Sequence, residues 1–354
     1  MKGGIDYKKA GVDRDLGDLC SQIAYSYAKK TFAGRRGLIG SPLLAEGGFT
    51  GALDFGKFYI VQNEDGVGTK IAVAEKMGEF DTLGYDLVAM VADDAVCAGA
   101  EVVSISNTID AASLSKNVVS ELMKGLSRAC LEQKIVIPGG EIAELKGHVN
   151  GYMWNATAVG IVEKNKFITG EKIEAGDTII GIASPNFRSN GFTLLRAILQ
   201  KTYGPKWNMK KFRGKRWGEI ALAPSVIYHA AMLSLIGRFG ERPRAAVKGI
   251  AHITGGGLPG NAPRMFGKQK LGLMLDKLPQ ASAAMKKLQK LGQISDKEAY
   301  ETWNMGIGMA FIAENTEKAL GLARRAGLKC SPIGKVTKEP AVVLKTSEEK
   351  YLKF

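Results

Sequence analysis

The sequence predicts an α/β protein built from two halves, and three observations lead to this prediction. Short apolar runs typical of buried strands alternate along the chain with longer segments of helical periodicity. A polar, turn-rich segment, residues 163–177, interrupts the alternation near the middle. The length of 354 residues is enough for two domains that each bury a sizeable core. We therefore expect the domain boundary within that segment.

The first half is predicted to alternate strands with two helices. The clearest helix covers residues 82–99, where Leu87, Val91, Ala95 and Ala98 recur at the spacing of one buried face. The strands are apolar runs bounded by glycine, proline or polar residues. Strands are expected near residues 58–62, 102–109, 134–137 and 156–163, and the second helix near 113–132.

The second half is predicted to alternate in a similar way after residue 177, without a visible short repeat or low-complexity tract. Strands are expected near residues 178–183, 246–253, 271–276 and 306–313, and helices near 190–202, 219–238, 279–291 and 316–327.

The formal net charge of +14 raises the possibility of nucleic-acid binding. Basic residues cluster in one loop-like stretch, residues 206–216, where aromatic residues alternate with them as in a single-strand binder. The other basic residues are scattered, and a phosphorylated small-molecule substrate also favours a positive field. We therefore expect no nucleic acid as the main partner. The stretch contains Lys206, Lys210, Lys211, Arg213, Lys215 and Arg216, with Trp207, Phe212 and Trp217 among or beside them.

The composition fits a soluble cytoplasmic enzyme. No apolar run reaches eighteen residues, and the N-terminus lacks the apolar region of a secretory signal, so we expect no membrane partner. The four cysteines, Cys20, Cys97, Cys130 and Cys330, are widely spaced without a Cys-x-x-Cys pair. Neither a zinc site nor a disulfide framework is predicted.

A six-residue run directly after the first predicted strand, Asp65-Gly66-Val67-Gly68-Thr69-Lys70, has the composition of a phosphate-binding turn. Glycines let backbone N–H groups approach a phosphate, and the lysine supplies a positive charge. A carboxylate beside them is expected mainly where a divalent cation is shared with the phosphate. The residue order differs from the common P-loop. From these residues alone, a flexible strand-to-helix turn is an equal alternative.

Acidic residues interrupt two further apolar elements. Asp86 and Asp93 are seven residues apart and share a face of the helix over 82–99, with Asp94 one position round from them. Glu141 follows the predicted strand at 134–137 and a Pro-Gly-Gly break. Carboxylates on an apolar helix are expensive to desolvate unless a cation gathers them, although one solvated helix face is the simpler alternative.

Two glycine-containing turns in the second half suggest anion binding. Residues 255–260 match the dinucleotide pattern Gly-x-Gly-x-x-Gly, but Pro259 and Pro263 leave little room for the long helix that must follow. We therefore favour an anion nest for a substrate phosphate over a nicotinamide dehydrogenase. Residues 188–191 form a second such turn, for which an ordinary helix N-cap is the alternative. His252 could position a substrate or be a structural histidine.

The order and spacing of eight motifs resemble those of phosphoribosylformylglycinamidine cyclo-ligase, also called aminoimidazole ribonucleotide (AIR) synthetase. The wider superfamily includes thiamine-monophosphate kinase and selenophosphate synthetase. The motifs span nearly the whole chain and comprise Tyr7 to Asp13, Gly47-Gly48-Phe49, Asp65 to Lys70, Asp81 to Met90, Gly139-Gly140-Glu141, Ser189-Asn190-Gly191, His252 to Gly257 and Asn304 to Met309.

This resemblance implies an AIR-synthetase-like fold of the α/β (α+β) type, in which each half is a mixed sheet covered by helices. It implies an ATP-binding and dimerisation domain at 1–168, a substrate-binding domain at 169–354, and a homodimer that forms its site near the interface. The implied reaction uses ATP to phosphorylate the formyl oxygen of formylglycinamidine ribonucleotide. A nitrogen then attacks the activated carbon, and phosphate leaves to give aminoimidazole ribonucleotide.

The resemblance also implies the site residues, with ATP and Mg²⁺ as cofactors. Lys70, Asp94, Arg188 and His252 are implied as catalytic, and Asp65, Asp94 and Glu141 as metal ligands. The ATP-binding set is Gly47, Gly48, Asp65, Gly66, Gly68, Thr69, Lys70, Asp86, Gly139, Gly140 and Glu141. The substrate-binding set is Arg188, Ser189, Asn190, Gly191, Thr254, Gly255, Gly256 and Gly257.

The chain departs from the family pattern at five positions, which are Glu64, Asp93, Asn107, Ile142 and Arg188. Arg188 stands where the family has histidine. A guanidinium is always charged and cannot act as a general base, so we expect it to hold a phosphate by a two-pronged contact. These departures keep two alternatives open: another phosphoryl-transfer enzyme of the superfamily, or a degenerate dimer partner that binds nucleotide without turnover.

Overall fold

The computed structural model describes residue 7 and residues 10–43, 49–346 and 349–354. In the first half, a mixed six-stranded sheet has the order β1-β2-β3-β6-β4-β5, with β4 and β5 parallel and the other neighbours antiparallel. Its strands are β1 (Ser41–Leu43), β2 (Gly51–Asp54), β3 (Phe58–Gly66), β4 (Glu101–Ala111), β5 (Gly140–Glu144) and β6 (Tyr152–Glu163). The helices are α1 (Arg14–Thr31), α2 (Ile71–Met77), α3 (Leu83–Cys97) and α4 (Lys116–Gln133).

The second half contains a mixed seven-stranded sheet of order β10-β12-β7-β13-β11-β14-β15, in which only β11 and β14 are parallel among the described strands. Its strands are β7 (Thr178–Ala183), β10 (Val247–His252), β11 (Gly272–Leu275), β12 (Ile307–Ala313), β13 (Cys330–Thr337), β14 (Val342–Lys345) and β15 (Tyr351–Lys353); β8 (Lys211–Phe212) and β9 (Lys215–Arg216) form a separate hairpin. The helices are α5 (Phe192–Tyr203), α6 (Trp217–Leu222), α7 (His229–Ile236), α8 (Gly257–Asn261), α9 (Ala283–Gly292), α10 (Asp296–Thr302) and α11 (Thr316–Arg325).

Helix α3 joins the two halves. It packs against β3 and β6 of the first sheet and against β10 and α7 of the second half. Thirteen of its fifteen residues are buried, so its apolar character on all sides follows from being covered on all sides. One continuous apolar core accordingly runs from Val61 on β3, through Leu87 on α3, to Trp303 and Leu344 in the second half.

Two of the expected elements differ in the structure. The strand expected at 134–137 is wrong, because Val136 is 63% exposed and makes a single bridge to Ser104, while the strand that joins the sheet is β5. The helix expected at 219–238 is divided into α6 and α7, because Pro224 lacks a backbone N–H and residues 223–228 leave the helical path. No helix in the described ranges is long and apolar enough to cross a membrane.

Candidate active site

Three loops that the sequence identified as phosphate-binding turns come together in the structure. A Cβ atom built on Gly68 would lie 3.8 Å from the backbone oxygen of Ser189, and one built on Gly255 would lie 3.7 Å from Oδ1 of Asn190. The Thr69 hydroxyl is also within hydrogen-bonding distance of Thr193 on α5, with the two Oγ1 atoms 3.1 Å apart. Residues 65–70, 188–191 and 254–257 therefore meet at the boundary between the two halves.

Unsatisfied polar atoms lie at this meeting point. Oγ of Ser189 and Nδ2 of Asn190 are both buried, and neither has a hydrogen-bond partner among the described residues. A buried polar group without a partner costs free energy, so such groups are retained where something else binds them. They are suited to a ligand that supplies oxygen or nitrogen atoms.

Gly191 fixes the start of α5 beside these atoms. Its φ of +73° lies in the left-handed region, and a Cβ atom would lie 2.4 Å from the Trp303 indole ring. A side chain at this position would therefore be strained and would also clash with a buried ring. The loop is held from the other side by Asn304, whose side-chain amide donates to the Asn186 carbonyl at 2.8 Å.

The glycine loop after β10 does not lead into a dinucleotide fold. Gly256 and Gly257 have φ of +88° and +60°, and the Asn261 amide donates to the carbonyls of Gly255 and Gly257. Helix α8 contains only five residues before a 3₁₀ turn that includes Pro263. The long helix that a nicotinamide site needs is absent from this described segment, which agrees with the sequence argument. Thr254 opens the loop, and its hydroxyl contacts Asn261.

Two of the predicted metal ligands lie close together. Asp65 is the last residue but one of β3 and Asp94 lies near the end of α3, and their charges interact. Burial raises the pKa of Asp94 to about 7, although Arg264 and Arg188 oppose the rise. Burial raises the pKa of Asp65 to about 6, and the Asp94 charge adds to the rise against a hydrogen bond from the Gly66 N–H. Two partly buried carboxylates that repel each other in this way are suited to a cation between them.

Glu141 does not join this pair within the chain. It lies exposed on the edge strand β5, three strand positions from β3 and hence roughly 14 Å from Asp65 across the sheet. Gly139 and Gly140 are exposed beside it, and Asn107 on the neighbouring strand is occupied by a hydrogen bond from the Trp154 indole at 3.0 Å. In the described part of the chain, no group of three or more histidine, cysteine or acidic side chains is close enough to hold a metal ion.

Lys70 is a structural residue in this conformation, contrary to the sequence prediction that it holds phosphate. Its ammonium donates to Asp86 at 2.8 Å and to the carbonyls of Arg188 and Ala223 at 3.2 and 2.9 Å. An ammonium has three N–H donors, and all three are used. Lys70 and Asp86 are both fully buried. Asp86, which the sequence predicted to bind ATP, also accepts from the backbone N–H of Ser225 at 3.2 Å. Its described contacts are therefore with other protein groups.

Arg188 also differs from its expected position. Its guanidinium is 1% exposed and donates to Asp93 at 2.8 Å and to the Val226 carbonyl at 2.8 Å, instead of reaching the open side of the turn. Asp93 is buried as well and accepts from the backbone N–H groups of Tyr228 and His229 at 2.8 and 2.9 Å. Two departures from the family pattern, Asp93 and Arg188, are thus the two members of one buried ion pair.

His252 links the Arg188–Asp93 ion pair to Asp94. Its Nε2 lies 2.8 Å from Nη2 of Arg188, and its Nδ1 lies 2.7 Å from Oδ1 of Asp94. Burial, together with the positive charge of Arg188, lowers the pKa of His252 to about 3, so the imidazole is neutral. Asp94, His252, Arg188 and Asp93 therefore form one continuous chain of polar contacts.

The sequence interpretation missed Arg264 and the segment 223–229. The Arg264 guanidinium stacks on the Phe49 ring at 3.7 Å and faces Asp94. The only sequence signal was its position after the 255–260 glycine loop. The backbone of 223–229 binds Lys70, Asp86, Arg188 and Asp93, and no sequence pattern indicated that role. Gly47 and Gly48 lie outside the described residues.

A cavity of about 1020 Å³ opens next to the first loop. Gly68 and Thr69 line one side of it, and Thr193 and Arg196 on α5 line another. This volume is sufficient for a nucleotide-sized ligand. The basic stretch at 206–216 lies nearby, but Trp207 and Trp217 are buried, so these rings cannot stack on nucleic-acid bases.

The chain matches two family descriptions along most of its length. AIR synthase related protein, N-terminal domain, matches residues 50–162, and AIR synthase related protein, C-terminal domain, matches residues 174–346. A solved structure with a similar fold, AaThiL complexed with AMPPCP and TMP, superposes with a TM-score of 0.60 at 16% identity and covers 93% of this chain and 95% of that one. The predicted AIR-synthetase-like architecture with mixed sheets is confirmed.

Full-length relatives share far more sequence. The phosphoribosylformylglycinamidine cyclo-ligase of Thermococcus gammatolerans is 36% identical over 340 residues, which cover 96% of this chain and 97% of the relative. The enzyme of the same name from Pyrococcus horikoshii is 38% identical over 338 residues, which cover 95% and 96%. The chain therefore belongs to the phosphoribosylformylglycinamidine cyclo-ligase family.

Proposed function

We propose that this protein is a cytoplasmic ATP-dependent cyclo-ligase that closes the imidazole ring of formylglycinamidine ribonucleotide in purine synthesis. The observation that carries the proposal is the full-length similarity to two enzymes named phosphoribosylformylglycinamidine cyclo-ligase. Phosphoryl transfer from ATP to the formyl oxygen turns that oxygen into a leaving group. A substrate nitrogen then attacks the carbon, and phosphate departs.

Asp65 and Asp94 are the residues that we propose to hold Mg²⁺. Magnesium is usually bound by one or two protein carboxylates together with substrate phosphate and water, so a partly buried pair of acids with raised pKa fits it. When bound, the ion would neutralise negative charge on the phosphate that is transferred. Glu141 would take part only if a second copy of the chain brings β5 to the site.

The glycine loops are proposed to hold the phosphorylated ligands. Backbone N–H groups at Gly68 and Thr69 would face the phosphates of ATP, and the cavity beside Gly68 gives room for the nucleotide. Ser189 and Asn190 would offer their unpartnered polar atoms to the substrate, together with the loop at 254–257. The similar fold of AaThiL, which is complexed with AMPPCP, supports an ATP site.

His252 is proposed to act by orienting Asp94. A neutral imidazole that donates to Oδ1 of Asp94 leaves the second carboxylate oxygen for other partners. No covalent nucleophile is needed for the reaction, and the buried Cys97 near Asp94 has a pKa raised by burial that makes it a poor one.

A homodimer formed through residues 1–168 is proposed as the active assembly, with residues 169–354 binding the substrate. In the first sheet, Ile142 on the edge strand β5 is 48% exposed, and Met153 on the less covered face of β6 is 49% exposed. Helix α1 has no buried residue, and its apolar side chains Leu16, Leu19 and Ile23 are each about half exposed. Exposed apolar side chains at these places support contact with a second copy of the chain.

Mass-spectrometric product analysis tests the proposed function. Purified protein with ATP, Mg²⁺ and formylglycinamidine ribonucleotide is expected to form aminoimidazole ribonucleotide with ADP and phosphate. Asp94→Asn should lower nucleotide affinity and turnover by about tenfold or more, as for other metal-site residues. ATP turnover with another acceptor, but no cyclisation, would favour a different phosphoryl-transfer enzyme of the superfamily. Nucleotide binding without turnover would favour a degenerate partner.

A further inference from the structure

The Arg188 side chain is buried and is directed at other protein groups. Its guanidinium contacts Asp93, the Val226 carbonyl and the His252 ring, and it lies 4.7 Å from the centre of the Tyr228 ring. The backbone at Arg188 has a φ of +55°, which is uncommon for a residue with a side chain. The structure therefore supports an unfavourable backbone conformation in order to direct this side chain inward.

The contact between Arg188 and His252 determines which nitrogen of the ring carries the proton. A guanidinium has only N–H donors, so Nε2 of His252, 2.8 Å away, must accept with its lone pair. A ring nitrogen that accepts a hydrogen bond carries no proton, so the one ring proton is on Nδ1. From there it is donated to Oδ1 of Asp94, 2.7 Å away.

The Asp93 carboxylate balances the positive charge of Arg188, whose guanidinium is the hydrogen-bond donor to His252. One of its oxygens accepts from two backbone N–H groups, and the other accepts from Arg188. The ion pair is thus neutral as a whole, but one guanidinium N–H remains directed at His252. Without it, only the contact with Asp94 would favour the Nδ1–H tautomer, and the population of the Nε2–H form would rise.

We propose that Arg188 is a positioning residue, which holds His252 as the Nδ1–H tautomer and thereby directs the only imidazole proton at Asp94. This assignment replaces the phosphate contact expected from the sequence. The tautomer follows from the protein alone, whereas its effect on turnover rests on the proposed function.

Imidazole ¹⁵N NMR of histidine-labelled protein tests the proposal, since the chain has only three histidines. Long-range proton–nitrogen correlations at neutral pH should show His252 with a protonated Nδ1 and an unprotonated Nε2. A wild-type His252 that is charged, or protonated on Nε2, would overturn the proposal whether or not any variant folds. His229 is an internal control, because its Nε2 accepts from the Val102 N–H at 2.9 Å and its tautomer does not depend on Arg188.

Arg188→Met and Arg188→Lys separate the positioning role from substrate binding. In Arg188→Met, the His252 signals should shift toward the Nε2–H form while those of His229 remain unchanged. Arg188→Lys keeps an N–H donor and should restore part of the wild-type pattern. In a folded variant, an unchanged His252 tautomer in Arg188→Met contradicts the proposal.

Kinetics give a second readout if the protein cyclises its substrate. For a residue that orients a metal-site group, Arg188→Met should lower kcat by about tenfold to a hundredfold and leave the KM for the ribonucleotide nearly unchanged. A large increase of that KM with an unaltered kcat would instead indicate a direct phosphate contact. Because the NMR result requires no substrate, failure of the proposed reaction can be distinguished from failure of this inference.

Discussion

Replacing Lys70 by methionine should mainly destabilise the protein. The methionine side chain keeps most of the lysine stem but removes the ammonium, so the fully buried Asp86 loses its counter-charge. The carbonyls of Arg188 and Ala223 lose their hydrogen-bond donor in the same change. Both carbonyls belong to the second half of the chain, so the substitution also removes a link between the halves.

The structure gives the expected size of this effect. Removing one partner of a buried ion pair costs about 3–5 kcal/mol, because the other charge remains buried without compensation. In a chain of 354 residues, each kcal/mol lowers Tm by roughly 1.3 °C, so the melting temperature should fall by about 4–7 °C. The double variant Lys70→Met/Asp86→Asn should regain part of this loss, since it removes the remaining charge but keeps an acceptor for Ser225.

Thermal melting followed by circular dichroism measures this prediction. Arg128→Met is the matched control, because Arg128 pairs with Asp81 at the same distance of 2.8 Å but both side chains are at least 40% exposed. An exposed pair of this kind contributes about 0–1 kcal/mol. If Lys70→Met melts like the control and instead loses ATP affinity, the ammonium binds phosphate in solution and the structural assignment is wrong.

Three further predictions follow from the site. Burial raises the pKa of Asp94 to about 7 and that of Asp65 to about 6, so the folded protein binds protons more tightly than the unfolded chain. Without metal, Tm should therefore fall as the pH rises from about 4 to 7, and Mg²⁺ binding, measured by calorimetry, should strengthen over about pH 6–8. Values of Tm and Mg²⁺ affinity that do not change with pH would contradict both pKa shifts. Gly191→Ala should lower the free energy of unfolding by about 1–3 kcal/mol in urea titrations, since it adds backbone strain and a clash with Trp303; an unchanged midpoint would show that the loop relaxes freely. Ile142→Glu should reduce the mass measured by light scattering toward that of a monomer, whereas Leu131→Glu, on the exposed face of α4, should not; equal masses for both variants would argue against β5 as the interface.

Regular elements with strong periodicity were predictable from the sequence. Helix α3 and strand β7 lie where their apolar patterns indicated, and the two mixed sheets agree with the resemblance to AIR synthetase. Strands β13 to β15 were not predicted; β13 and β14 pair with the distant strand β11, and β15 has only three residues. Helix α1 was also missed, since it buries no residue and lacks a clear core-facing pattern.

The candidate site was predictable as a set of loops but not as a set of contacts. Sequence patterns placed phosphate-binding turns at Gly68, Ser189 and Gly255, and the structure brings these turns together. The acids on α3 were expected to gather a cation, yet Asp86 and Asp93 are paired with Lys70 and Arg188. Residue 188 is 95 positions from residue 93, and no local pattern reports a partner at that distance.

The contacts of α3 with residues 223–229 determine how the two halves unfold. Ser225, Tyr228 and His229 donate backbone N–H groups to carboxylates on this helix. If the halves separated, four charged side chains would lose buried hydrogen-bond partners before water could solvate them fully. These side chains are Lys70, Asp86, Asp93 and Arg188. An intermediate with separated halves therefore has a high free energy. Neither half can melt while the other remains intact. Despite its two sheets, the chain should therefore give a single calorimetric transition, with equal van't Hoff and calorimetric enthalpies when the transition is corrected for any dimer dissociation.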